Sequence, residues 1–528
     1  MDVRRTPVGG LALALLLALA LVSSASASPM LTLRHHGGAL HREDRYLPPD
    51  AGMPRPVAAG AAALAPAAVR ARAAAVDGEP RRTVRGELAR LLAAAAIDQP
   101  THDGYRRTYA DALRTRAKLH GARRGALGAV LRNLEAIAGS GELVASRLPA
   151  LFETVARNRE WWSRGPLLRY GQRVSFQGSR LVWQYYTGEG LQIQWLGTFG
   201  KANGLWQAGT YDTELRELLD EALGLAAQRA GGIAFEYLFR FDGGRPPWVS
   251  GLAQGTAVQA LSRAAVRLAE PRFFEAARAG LGIFREAPPS GVRVATPAGV
   301  HYLLYSFAPD LRVLNAFTQA LNGLHDFALL ANDAEGRALF AAGEAQLRAE
   351  LPAYDTGAWS RYSLRREADL SYHRLARDFL RNLCTRLTEA QVPTAAPTGG
   401  TAPAPTPGAP PAPIADPTLY CDAAQRFTRY LSQPPRLRLV SQRARAGKPI
   451  SVRLELDKPA FVTLNLRRAG RTVVVLRDRL GSGRRSLRWA RPLRPGGLFS
   501  VGLAATDLAG NRGAASGKLR VLSARRKG

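Results

Sequence analysis

Near residue 436 the apolar residues of this chain change their spacing, and that change limits what the chain can build. Upstream they recur at steps of three and four: Leu314, Phe317, Leu321 and Leu324 in one segment, Tyr372, Leu375, Phe379 and Leu383 in another. Such steps put them on one face of an α-helix. The pattern predicts helices over 213–229, 253–269, 272–286, 313–331, 334–350, 372–389 and 418–432, joined by compact connections with no strands between. Downstream the period falls to two, in RLRLVSQ, ISVRLELDK, FVTLNLRR, RTVVVLRD, RSLRWA, GLFSVGLAATD and KLRVLS. Seven alternating runs separated by Gly, Pro and Asn turns read as strands. The chain is expected to be mainly α with an all-β C-terminal part, and its 528 residues to form two or three folded units.

Helices that follow one another without strands imply α-hairpins packed side by side. Closed on themselves, such hairpins form an α/α toroid whose loops line a cleft at one end. LPAYDTGAWSRYSL at 351–364 sets two tyrosines and a tryptophan among polar groups between two helices, and is expected at that cleft. The toroid domain is expected over 166–434. Within it, the Pro/Ala/Thr-rich tract QVPTAAPTGGTAPAPTPGAPPAPIADP at 391–417 builds no core and reads as a looped-out spacer. Because TLYCDAAQRFTRYLSQ beyond it is again amphipathic, Cys384 and Cys421 are expected to meet across a helical hairpin as a disulfide. Residues 86–165 read as a helical N-terminal region, and 28–85, rich in Ala, Arg, Pro and Gly without period, as a flexible segment. Between 170 and 210, RVSFQGSRLVWQYYTGEGLQIQWLGTFGKAN alternates around Thr187-Gly188-Glu189-Gly190, a β-hairpin signature. Its aromatics suit either sugar stacking or a partly buried hairpin.

Residues 1–27 combine Arg4 and Arg5, the apolar run LALALLLALALV and the small residues Ala25-Ser26-Ala27, the pattern of a secretory signal peptide. The run is short for the roughly 20 residues that span a bilayer. A secreted or cell-envelope protein is expected, with no stable membrane insertion after signal cleavage. A formal net charge of +31 points to anionic partners, or reflects a compositional habit of the source genome. No nucleic-acid module is evident, and export argues against nucleic acid as a partner. The eight histidines stand without C-x-x-C or H-E-x-x-H, so neither a metal nor a cofactor is expected. The alternating runs over 435–523 fit an immunoglobulin-like sandwich without its disulfide. GLFSVGLAATDLAGN is similar to the final hairpin of bacterial Ig-like modules, which bind or space.

Four blocks of the helical part keep a common register: PPWVSGLAQGTAVQALSRA at 246–264, HYLLYSFAPDLRVLNAFTQALNGLHDF at 301–327, LPAYDTGAWSRYSLR at 351–365 and SYHRLARDFLRNL at 371–383. With the hairpin they resemble, over roughly residues 175–432, the C-terminal catalytic domain of D-glucuronyl C5-epimerases, which invert a uronic acid within heparan-type glycans. The resemblance implies catalytic Tyr305, Tyr362 and Tyr372. It also implies Arg365, Asn315, Trp248, Gln254, Tyr354 and Trp359 at the substrate, the two tryptophans as sugar platforms or as packing, and an anionic, uronate-containing polysaccharide as partner. In animal members the residue before the first tyrosine is a glutamate proposed as a base, whereas Leu304 stands there in this chain.

Epimerisation at C5 removes the proton α to a carboxylate and returns one from the opposite face. It needs acid/base groups on both sides of the ring and a cation on the carboxylate as it gains enolate character. A tyrosine base must be brought from about 10 to near neutrality, worth about 4 kcal/mol, and nearby arginines supply such a pull. Arg361, Arg365 and Arg366 are the candidates. An exported epimerase, a mechanistically related lyase and a non-catalytic glycan-binding protein that retains the cleft are the readings to be separated.

Overall fold

The computed structural model describes residues 28–34, 37–49, 82–391, 416–441, 443–446, 449–490 and 496–522. The signal-peptide segment 1–27, most of 50–85 and nearly all of the 391–417 tract lie outside the described residues. Two compact units divide the chain, with the boundary after Leu225.

The first unit opens with β1 (Ser28–Leu33) and β2 (Ala39–Asp44) and continues through the helices α1 (Val84–Ala93), α2 (Gln99–Lys118), α3 (Gly121–Gly139) and α4 (Leu148–Arg164). It ends with β3 (Arg173–Ser175), β4 (Trp183–Tyr186), β5 (Gly190–Ile193), α5 (Trp195–Ala208) and α6 (Asp212–Leu223). The five strands form one sheet in the order β2-β1-β3-β4-β5, with β1 parallel to β3. Residues 28–33 and 39–44, expected to be flexible, are therefore strands: Met30 buries against Leu47 and Val182, the latter a partner far downstream. The β4–β5 hairpin forms where its turn signal stands, yet Trp183 and Tyr186 are at most 1% exposed. They are core residues, not a stacking surface. The expected strand texture stops at Gln194, whose side chain accepts from Gly197 N and starts α5. Trp195, Phe199, Ala202 and Leu205 then fall at helical steps and are buried. Gly209, at φ +78°, ends the helix.

The second unit alternates helices with short hairpins, against the expectation of helices alone. Its elements are β6 (Ala227–Arg229), β7 (Gly232–Ala234), α7 (Gly251–Arg267), α8 (Arg272–Ala279), α9 (Gly282–Arg285), β8 (Arg293–Ala295), β9 (Val300–Tyr302), α10 (Leu314–Leu330), α11 (Ala334–Glu350), β10 (Arg361–Ser363), β11 (Arg366–Glu367), α12 (Leu370–Gln391) and α13 (Thr418–Tyr430). Strands of two or three residues are too short to display a period of two, which is why they read as loops. The helix expected over 213–229 stops at Leu223 for the same reason: its last residues enter β6. α7 and α10 pack at backbone distance. A Cβ on Gly323 would lie 2.0 Å from Gly255 O, so only small residues allow this crossing. α10 also packs on α11 and α12, and α12 on α13. The disulfide Cys384–Cys421 ties the last two helices, with Cα atoms 5.0 Å apart.

The C-terminal part is all β: β12 (Leu437–Leu439), β13 (Arg443–Arg445), β14 (Ile450–Leu456), β15 (Ala460–Arg468), β16 (Arg471–Leu480), β17 (Gly483–Trp489), β18 (Gly497–Asp507) and β19 (Arg512–Leu522). They form a three-stranded sheet, β12-β14-β17, and a five-stranded sheet, β13-β19-β18-β15-β16. Alternate residues of both sheets, among them Val452, Leu454, Val462, Leu464, Val501 and Leu519, share one core. Lys458, 1% exposed, donates to the carbonyls of Tyr430 at 2.7 Å and Gln433 at 2.6 Å and pairs with Asp507 at 3.3 Å. That buried ammonium fastens the β part to the end of α13.

Candidate active site

Two features bring the loop 351–367 into place. Leu351–Tyr354 forms a single 3-10 turn after α11, and β10–β11 then fold back as a hairpin whose tip, Leu364-Arg365, is exposed. Val313, just before α10, bridges to Ser363, so the first turn of α10, with Asn315, lies beside the hairpin. Glu367 accepts from Ser482 N at 3.1 Å through both oxygens. The hairpin is thus held from one side by α10 and from the other by the β part.

Tyr362 on β10 and Tyr372 in the first turn of α12 meet with ring centroids 4.5 Å apart. The guanidinium carbon of Arg366 stands 4.6 Å from the Tyr362 ring centroid. The Tyr362 hydroxyl is buried and has no hydrogen-bond partner. Burial drives this phenol well above its ordinary pKa; Arg366 pulls it down by less, and Asp242 and Asp369 push it further up. The expected activation of tyrosine by arginine is therefore outweighed by desolvation, and Tyr362 is a phenol that holds its proton.

Tyr305 sits in an adjoining aromatic cluster, edge-on to Trp248 at 5.3 Å and stacked on Phe307 at 5.2 Å. Phe241, 5.7 Å from Tyr305, belongs to the same cluster. Asp242 follows Phe241 in a tight turn. Phe241 and Gly244 exchange backbone hydrogen bonds around Asp242 at φ +46° and Gly243 at φ +87°. That is a two-residue turn of the kind Asp-Gly favours, and its exposed Asp242 is, with Asp369, one of the two carboxylates whose charge raises the Tyr362 pKa. Asp242 was missed in the sequence, where DG reads only as a turn.

Several expected substrate contacts are committed to the fold instead. Gln254, 1% exposed, accepts from Phe235 N at 3.2 Å and donates to the carbonyls of Ile233 at 3.1 Å and Gly280 at 3.0 Å. Trp359, fully buried, donates to Ala368 O at 2.9 Å and stacks on His373 at 3.8 Å. Tyr354, also fully buried, lies 3.4 Å from Glu350 Oε1, and burial raises its pKa. Trp248, 1% exposed, donates to Phe239 O at 2.8 Å and stacks on Tyr237. None of these four presents a face to a ligand. Asn315 is 2% exposed, and Arg361 donates to Leu364 O at 3.3 Å within the hairpin. Arg365 and Arg366 stay exposed. Among the described residues no group of His, Cys, Asp and Glu is arranged to hold a metal.

The helices and hairpins that frame these tyrosines lie within residues 230–394, the stretch that matches the family described as the D-glucuronyl C5-epimerase C-terminus. A curated relative, the D-glucuronyl C5-epimerase of Caenorhabditis elegans, is 32% identical over 136 residues, 23% of this chain and 22% of that protein. The chain thus spans about a fifth of that relative's length. Among solved structures, an unsaturated glucuronyl hydrolase specific for heparin aligns with 45% of this chain and 60% of its own at 13% identity, TM-score 0.31. The endo-beta-1,4-glucanase CMCax from Acetobacter xylinum aligns with 48% of this chain and 92% of its own at 14% identity, TM-score 0.27. Scores this low carry no argument about fold or function.

Proposed function

We propose that this chain is an exported uronate C5-epimerase acting on an acidic polysaccharide, its helices closing as an α/α toroid and its β part serving as an Ig-like accessory module. The observation that carries the reading is the buried, unpartnered hydroxyl of Tyr362, with Arg366 on its ring and Tyr372 against it, inside the segment that matches the epimerase family. A phenol that keeps its proton is suited to return one to C5 as a general acid. Arg365 and Arg366 on the hairpin would hold the uronate carboxylate and stabilise its enolate form. With Leu304 at the position of the glutamate found in animal members, abstraction falls to another group: Asp242 and Asp369 are the carboxylates whose charge acts on Tyr362, and Tyr305 and Tyr372 are the phenols. Leu304 favours one alternative, a binding protein that keeps the cleft without turnover.

Incubation with a polymeric glucuronate in deuterated water separates the readings. Deuterium at C5 with inversion supports the epimerase. An unsaturated, ultraviolet-absorbing ring means elimination, and binding without exchange means a glycan-binding protein. In the epimerase case Asp242→Asn should slow exchange while leaving thermal stability near that of the wild type, since the side chain is exposed.

A further inference from the structure

Charge is distributed unevenly along the chain. Residues 436–528 contain 23 of the 73 lysines and arginines but only 4 of the 42 acidic residues, so under a fifth of the length supplies +19 of the net +31. The register of the five-stranded sheet places part of this charge on one face. Along β19 the residues at even positions face outward, Lys518 and Arg520 among them. Arg443 of β13 lies directly beside Arg520, and Leu498 of β18 on its other side. One row on, Lys518 pairs with Ser500, which pairs with Arg467 of β15. At the far edge Arg477 and Arg479 of β16 lie beside Thr463 and Phe461. These outward positions are exposed, with Phe461 57% and Leu498 52% accessible. Among the described residues no aspartate or glutamate occupies this outward face: Asp478 stands at an inward-register position and Asp507 is buried. At the β13 end the face runs into a groove of about 510 Å³ lined by Arg438, Arg443, Lys518 and Arg520 together with Leu437 and Leu498. Of these, Arg438 is already paired with Glu455.

We propose that the outer face of this sheet is a second, non-catalytic binding surface for a polyanionic, uronate-bearing polysaccharide. Five strands about 4.8 Å apart, all but the short β13 nine to eleven residues long, give a face roughly 19 Å by 30 Å. That area suits a polymer segment more than a single sugar. Cations on such a face attract a line of carboxylates and are weakened by salt, while exposed Phe461, Val475 and Leu498 supply apolar contact for the less polar faces of sugar rings. The choice of a polysaccharide over another polyanion rests on the epimerase reading above.

The test measures binding of the full chain to hyaluronan, whose charges are uronate carboxylates, across a salt series. Neutral dextran, double-stranded DNA and vesicles containing anionic lipid are run alongside. The variant Arg443→Ser/Lys518→Ser/Arg520→Ser should bind hyaluronan about tenfold or more weakly at low salt. Arg477→Ser/Arg479→Ser, at the other edge, should weaken it as well, and both should leave turnover of a short glucuronate oligosaccharide unchanged. Unchanged affinity in both variants overturns the proposal, as does tighter binding of DNA or of the vesicles than of hyaluronan at equal salt. If the wild type binds hyaluronan through this face but exchanges no proton, the catalytic reading fails and the binding surface stands.

Discussion

Among single residues, what distinguishes a candidate catalytic side chain from a structural one is polar capacity left over after folding. Gln254 and Trp359 occur in blocks that resemble a catalytic domain, yet their hydrogen bonds all go to the backbone. Tyr362 is the reverse: its hydroxyl is buried without a partner, a state that costs about 1–3 kcal/mol and persists where function uses it. Gln254→Ala should therefore lower stability by about 2–4 kcal/mol in denaturant titrations, while the KM of the surviving folded protein stays the same. A large rise in KM at unchanged stability would return Gln254 to the substrate. Sequence alone could not separate these cases, since a glutamine in a family motif looks the same whether it touches sugar or spans two loops. The turn residue Asp242 was hidden by the opposite effect, its local role being sufficient to explain it.

The elements show where periodicity is informative. The long helices α7, α10, α11, α12 and α13 and the β14–β18 strands begin and end within a few residues of their expected bounds, because each has enough turns or alternations to expose its period; β19 starts at Arg512, six residues ahead of the KLRVLS run. The hairpins β6–β7, β8–β9 and β10–β11 are too short for that, and β10–β11 carries the candidate site. β1 depends on a partner about 140 residues downstream, which no local pattern records. The start of α12 has a pH-sensitive lock. His373 accepts from Ser360 N at 3.2 Å on Nδ1 and donates from Nε2 to Phe427 O at 2.9 Å. Burial lowers its pKa to about 4. The unfolded chain takes up the proton near pH 6.5, the folded one only near 4. Stability from this group is therefore full above pH 6.5 and is lost as the pH falls toward 4, by up to about 3 kcal/mol. Unfolding midpoints measured from pH 7 to 4 should fall in the wild type and fall less in His373→Gln, which starts from a lower value. Parallel slopes would remove His373 from the cause.

For the second unit as a whole, the β part is more than an appendage. Lys458 and Asn511 grip the end of α13, the latter donating to Leu431 O at 2.8 Å, and Ser482 holds Glu367 on the hairpin of the candidate site. Glu367→Ala should slow exchange severalfold while changing global stability by only about 1 kcal/mol, because it frees the hairpin without opening a core. Loss of stability without loss of rate would make Glu367 an ordinary surface tie. The proposed epimerase depends on the Tyr362 hydroxyl delivering a proton to C5 of a uronate. Deuterium incorporation at C5, followed by NMR for the wild type and Tyr362→Phe at matched folded fractions, tests it most directly. A loss of about 100-fold or more is expected in the variant; a rate within about threefold of the wild type, less than 1 kcal/mol of barrier, would remove Tyr362 from that role.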